Sequence, residues 1–265
     1  MRRYDMHTHS LNSDGKFSVD DMCLAAIEKG VTGIAVTDHA DMNFYESRNT
    51  PQRIGTSAAE IRSAAERYGD RLEVLCGVEL GEYLYAPEKA REILTMEPYD
   101  VVLCSVHLVP AARWPMPYNR IPFDADGTDE ELADYLEKYF DLLCKTVDGF
   151  DFDVLAHITC PVRYMTHRYH RKTDVMPYAE KIREILQKII ARDIALEFNT
   201  AGYQQQADVF AMYREMGGRL ITLGSDAHTA AAIAGQFEET AELLRQWGFK
   251  NYYYYKNRAA YEVSL

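Results

Sequence analysis

The sequence predicts an α/β fold in which parallel βαβ units close into one barrel, and three observations predict it. Short apolar runs alternate with longer amphipathic ones along the chain. No internal repeat, low-complexity tract or Gly/Ser linker divides it. At 265 residues it is short for two comfortable cores and well within the length of a single α/β barrel, so one domain over residues 1–265 is expected.

Strands are expected at residues 4–8, 33–37, 73–78, 101–106, 152–156, 194–198 and 219–223, each an apolar run too short for a helix. Helices are expected between and after them, at 19–29, 57–68, 87–96, 129–147, 176–191, 206–216 and 229–247, where apolar residues recur at helical spacing. Ser18 before Val19, and Thr56 followed by Glu60, have the chemistry of helix starts. Gly30, Gly69 and Gly217-Gly218 have that of helix stops. Residues 109–127, with four Pro, two Arg, Trp114 and Tyr118, form the longest irregular stretch and read as a lid or binding loop. A second irregular stretch, 159–174, is rich in Arg and His.

Composition narrows the function classes. A net charge of −12 repels polyanions and weighs against a large nucleic-acid footprint. Cys23, Cys76, Cys104, Cys144 and Cys160 are dispersed without CxxC spacing and read as reduced core thiols. No run is apolar and long enough to span a membrane, and Met1-Arg2-Arg3-Tyr4-Asp5 leads straight into a polar motif, so the expected compartment is the cytosol.

Every expected strand ends in groups able to bind a metal or a polar ligand. In chain order they are Asp5, His7 and His9; Asp38 and His39; Glu79; His107; His157; Glu197 and Asn199; and Asp226 with His228. In a parallel barrel the C-terminal strand ends share one rim, so these groups can meet there. His7 and His9 are a period-two pair, which on a strand point to the same face. Six of the eight His occupy strand ends; only His167 and His170 do not. Asp14, beside the His pair, is a further candidate ligand, although Asp-Gly is also a common turn pair. Glu79 follows an apolar run where an unpaired carboxylate is costly, and bridging two cations removes that cost. Imidazoles and carboxylates without thiolates suit two or three divalent ions of Zn, Mn or Fe, which activate water for attack on a phosphate ester.

The ordered series Asp5-x-His7-x-His9, Thr37-Asp38-His39, Gly77-Val78-Glu79, Ser105-x-His107, His157 and Gly224-Ser225-Asp226-Ala227-His228 resembles that of the polymerase-and-histidinol-phosphatase (PHP) superfamily. The resemblance implies a distorted seven-stranded (β/α) TIM-like barrel with a trinuclear centre at its C-terminal rim. It implies that His7, His9, Glu79 and Asp226 hold one ion, Glu79, His107 and His157 a second, and Asp14, His39 and His228 a third. Asp5 is then expected to orient a ligand imidazole and to count among the catalytic residues. Within the superfamily the chain looks most like enzymes that hydrolyse L-histidinol phosphate in histidine biosynthesis. Their phosphate-binding Arg residues follow the fifth and sixth strands. Arg163 fits the first place, as a catalytic and substrate-binding group, with Arg168 and Arg171 as nearby substitutes and Asn199 as a further substrate contact. The segment after Asn199 has no Arg for the second. The rival readings are a phosphoesterase acting on a nucleotide or short nucleic acid, a metal-binding module without catalysis, and a hydrolase of C–N bonds.

Overall fold

Eight parallel strands carry the fold in a computed structural model that describes residues 2–110, 114, 116–123, 127–171 and 173–265. They are β1 (Tyr4–Thr8), β2 (Gly33–Val36), β3 (His39–Asp41), β4 (Glu73–Gly81), β5 (Val101–Ser105), β6 (Val154–Leu155), β7 (Ala195–Asn199) and β8 (Ile221–Gly224). Hydrogen bonding runs β1-β2-β4-β5-β6-β7-β8, with β3 also on β4. A parallel bridge between Thr8 and Ala227 draws the first and last strand ends together, so the sheet almost closes into the expected seven-position barrel. Nearly every strand residue is buried, as continuous apolar runs covered on both faces require.

The second expected strand is two. β2 stops at Val36, and pairing resumes at His39 opposite Glu79. In the gap the Asp38 carboxylate accepts from the Ser10 amide and the Ser10, Ser13 and Ser57 hydroxyls at 2.6–2.7 Å. Asp38 thereby fixes the loop that carries Asp14. β4 is longer than expected and runs through Glu79 to Gly81.

The outer helices are α1 (Val19–Glu28), α2 (Thr50–Tyr68), α3 (Pro87–Met96), α4 (Asp129–Thr146), α5 (Cys160–Arg163), α6 (Ala179–Ala191), α7 (Ala207–Glu215) and α8 (Phe237–Gln246). Ser18 caps α1 in a capping box with Asp21, as its chemistry predicts. Gly30 ends that helix region at φ +64. Thr56 and Ser57 are not a helix start: α2 begins at Thr50 with Pro51 in its first turn, and the Ser57 hydroxyl serves Asp38. α8 begins later than expected because the chain first folds over β1, where the Ala234 amide donates to Asp5.

A hairpin of β9 (Asn251–Lys256) and β10 (Ala259–Ser264), absent from the sequence-based expectation, packs at the opposite end of the strands from the rim. The Tyr252 hydroxyl accepts from the Tyr4 amide at 3.0 Å, Tyr254 stacks on Tyr4, and the Arg258 guanidinium donates to Asp153 just before β6. One contiguous core extends from Tyr4 to Val263. Within the expected lid, residues 111–113, 115 and 124–126 lie outside the described residues. The described part packs inward through Trp114, Tyr118, Ile121 and Phe123.

Candidate metal centre

The C-terminal strand ends do converge, and Glu79 lies at their middle. One carboxylate oxygen, Oε1, is 2.7 Å from His157 Nε2 and 3.0 Å from His107 Nε2. The other, Oε2, is 2.8 Å from His39 Nδ1, 3.3 Å from His7 Nε2 and 3.5 Å from His9 Nε2. β1 supplies His7 and His9, with their Nε2 atoms 3.0 Å apart. The loop after β8 supplies Asp226, 3.4 Å from His9, and His228. Asp14 closes the outer side, 2.9 Å from His228 Nε2 and 3.4 Å from His39 Nε2. All nine expected ligands are therefore brought together, from seven separate stretches of chain.

The backbone is bent to present them. Asp226 sits at φ +54, a conformation that Asp tolerates better than most residues, and His157 at φ +23. Such conformations cost free energy and cluster where function demands them. At Gly224 a Cβ would lie 2.1 Å from Glu197 Oε1, so only glycine leaves room beneath His7.

Burial disfavours charge on all these groups, and their mutual attraction sets the net direction. On His7, the Glu197 and Glu79 carboxylates outweigh burial and hold the imidazole well above its usual pKa. On Glu79, the imidazoles of His39, His107 and His7 outweigh burial and hold the carboxyl well below its own. Asp226 is depressed likewise, by His9, His7 and Arg163 against burial. His39 is raised to about 9 by Glu79 and Asp41 against burial. His9 is lowered to about 4 by burial reinforced by His39.

The donors suit divalent cations. They are imidazole nitrogens and carboxylate oxygens, whereas all five cysteines are buried, unbridged thiols outside the cluster. Among the described residues four groups of candidate ligand atoms lie together, and three consist of expected ligands: His7, His9 and Glu79; His39, Glu79 and His107; and His9, Asp14, His39 and His228. Buried Glu79 Oε2, His39 Nδ1 and His157 Nδ1 have no hydrogen-bond partner among the described residues, the close approach of His39 to Glu79 lacking hydrogen-bond geometry. An orphaned buried carboxylate oxygen is expensive, and a cation between these atoms removes the expense.

Four other expected residues fare differently. Arg163, at the end of α5 and only 14% exposed, reaches the cluster, 3.2 Å from Asn199 Oδ1 and 3.5 Å from Asp226 Oδ2. Arg168 does not: it is exposed and donates to the Asn119 carbonyl at 2.7 Å, because the π-type turn Tyr164–Arg168 carries it outward. Arg171 pairs with Asp129. Asp5 orients no imidazole. Its carboxylate accepts from the Ser225 amide and hydroxyl and from the Ala234 amide, because it lies two residues before His7 on β1, one step further from the strand end. It anchors the loop that bears Asp226 and His228.

The imidazole-orienting task falls to Glu197, whose Oε1 is 2.6 Å from His7 Nδ1 while Oε2 accepts from the His157 amide. Asp41 does the same for His107, Nδ1 to Oδ1 at 3.0 Å. Glu197 was visible in the sequence as a strand-end acid. Asp41 had no such signal, since β3 itself was not anticipated.

Comparison with known proteins agrees with this architecture. A family model described as the PHP domain matches residues 5–201. A probable histidinol-phosphatase of Clostridium acetobutylicum is 26% identical over 97% of this chain and 99% of its own length. One of Thermotoga maritima is 28% identical over 93% of each. The crystal structure of histidinol phosphate phosphatase from Lactococcus lactis, complexed with zinc, L-histidinol and phosphate, superposes with a TM-score of 0.79 at 23% identity, covering 98% of this chain and 99% of that one. With a near-closed parallel barrel and a His- and carboxylate-lined rim, and a family match over most of its length, the chain belongs to the PHP domain family.

Proposed function

We propose that the chain is a metal-dependent phosphomonoesterase that hydrolyses L-histidinol phosphate to L-histidinol and phosphate, with residues 1–265 acting as one catalytic unit. The observation that carries this reading is the convergence of nine imidazole and carboxylate side chains in one cluster, five of the imidazoles around Glu79, with Arg163 at its edge. The full-length likeness to histidinol-phosphatases selects the ester.

Two or three divalent ions, Zn, Mn or Fe, fit the donors. His7, His9, Glu79 and Asp226 would hold one, Glu79, His107 and His157 a second, and Asp14, His39 and His228 a third. Bound there, they supply Lewis-acid charge to phosphoryl oxygens and an activated water for in-line attack. The chain's residues do the positioning. Arg163 stays protonated and, held by Asn199 and Asp226, offers its guanidinium to phosphoryl oxygens, a planar fork suited to that task. Asn199 also donates to Glu197 Oε2 at 3.2 Å and so couples the phosphate-binding edge to His7. Asp5 and Asp38 fix the two loops that carry Asp226, His228 and Asp14.

A phosphate-release screen under defined Mn, Zn or Fe loading tests the assignment, with histidinol phosphate beside nucleotide monoesters. Turnover of histidinol phosphate well above the nucleotides is expected. Activity confined to nucleotides would refute the substrate and keep the phosphatase chemistry.

A further inference from the structure

The residues behind His107 form an arrangement of their own. Asp41, Gly81 and Ser105 lie in one row across β3, β4 and β5. His107 follows two residues beyond Ser105. Its Nε2 faces Glu79 and its Nδ1 faces Asp41 Oδ1, each at 3.0 Å. Buried Glu82, at φ +53 immediately after β4, accepts from the His107 amide at 2.5 Å and the Leu108 amide at 3.0 Å through one oxygen. A Cβ at Gly81 would sit 2.5 Å from Asp41 Oδ1 and 3.0 Å from His107 Nδ1, so that position has room only for hydrogen. Arg48 donates to the other Asp41 oxygen at 3.2 Å and fixes the carboxylate from outside.

Asp41, Glu82 and His107 lie close enough to pass for a ligand set. The imidazole decides against a separate ion there. With a cation on the Glu79 side the ring would keep one N–H and one lone pair, and Asp41 as acceptor places that N–H on Nδ1. The lone pair is then on Nε2, turned toward Glu79 and the metal centre.

We propose that Asp41 and Glu82 are the positioning residues of the metal centre's His107 side. Asp41 fixes the ring's tautomer and plane. Glu82 pins the backbone on which the ring is mounted. Carboxylates in this relation to a ligand imidazole typically govern metal affinity. The proposal rests on the cluster being a metal centre and does not depend on which ester is hydrolysed.

A double-mutant cycle in the full chain tests it, read by zinc stoichiometry and chelator competition alongside kcat and KM. Asp41→Ala is expected to weaken one bound zinc by about 10- to 100-fold and to lower kcat with little change in KM. In a His107→Ala background the same substitution is expected to cause no further loss, because its partner is gone. Asp41→Asn keeps the shape and an oxygen acceptor, and is expected to fall between wild type and Asp41→Ala. An equal loss in the His107→Ala background, or wild-type zinc affinity in folded Asp41→Ala or Asp41→Asn, overturns the proposal. A wild-type chain that binds zinc yet hydrolyses no ester contradicts the proposed activity alone.

Discussion

Glu79 has more neighbours of opposite character than any single ion pair provides, and its replacement separates ligand from bystander. Glu79→Gln keeps the volume and removes the charge that attracts His39, His107 and His7. Loss of at least one bound ion and a fall in kcat of about 100-fold or more are expected, read by metal analysis and phosphate release. Arg163→Met removes the edge cation while leaving the metal set, so metal content is expected to stay near wild type as kcat/KM falls about 100- to 1,000-fold. Equal activity in that variant would remove Arg163 from phosphate binding. The ligands themselves were legible in the sequence, because His and acids recur where apolar runs end. Asp41 and Glu82 were not, since each is one of 41 acids and only the folded register shows which imidazole or backbone it touches. Arg168 shows the reverse: a cation in a promising loop is turned to solvent by one turn of helix.

At the scale of elements, the alternation of runs specified the parallel strands well, but not where pairing breaks. The interruption after Val36 and the extension of β4 to Gly81 arise from Asp38 and Glu79, whose partners are distant in sequence. Gly224→Ala probes this level. Its Cβ would enter the space of Glu197 Oε1 and displace the orienting bond to His7. A destabilisation of about 1–3 kcal/mol with weakened metal binding is expected, measured by denaturant unfolding and metal titration. The C-terminal hairpin is not legible in the sequence because its two-residue loop, Asn257-Arg258, lacks the glycine that usually marks such turns. Both residues nonetheless adopt positive φ, at +49 and +62. Tyr252→Phe leaves the Tyr4 amide and Arg2 carbonyl without their partner, and a loss of about 1–3 kcal/mol at unchanged kcat is expected from unfolding and rate measurements.

Across the whole molecule, the centre ties together the strands β1, β3 and β4 and the segments that follow β1, β5, β6 and β8, so metal loading and stability are linked. Ions bound at 1,000 times their dissociation constant add about 4 kcal/mol, and chelation is expected to lower the thermal transition accordingly. Loading also displaces protons. His7, His39 and His107 are held protonated by neighbouring carboxylates, His39 to about 9, and a cation must replace those protons to use the nitrogens. Metal affinity is therefore expected to rise with pH up to at least about 9, where His39 gives up its proton, with proton release visible by calorimetry in buffers of different ionisation enthalpy. No described helix is long and apolar enough to cross a membrane, and the charge of −12 favours cations over polyanions.

The most direct measurement is anomalous scattering at the metal absorption edge from crystals of chain loaded with zinc or manganese. Two peaks are predicted within coordination distance of Glu79, flanked by His7, His107, His157 and Asp226, and a third ion, where bound, beside Asp14, His39 and His228. Fully loaded crystals whose only peaks lie elsewhere on the molecule would contradict the account.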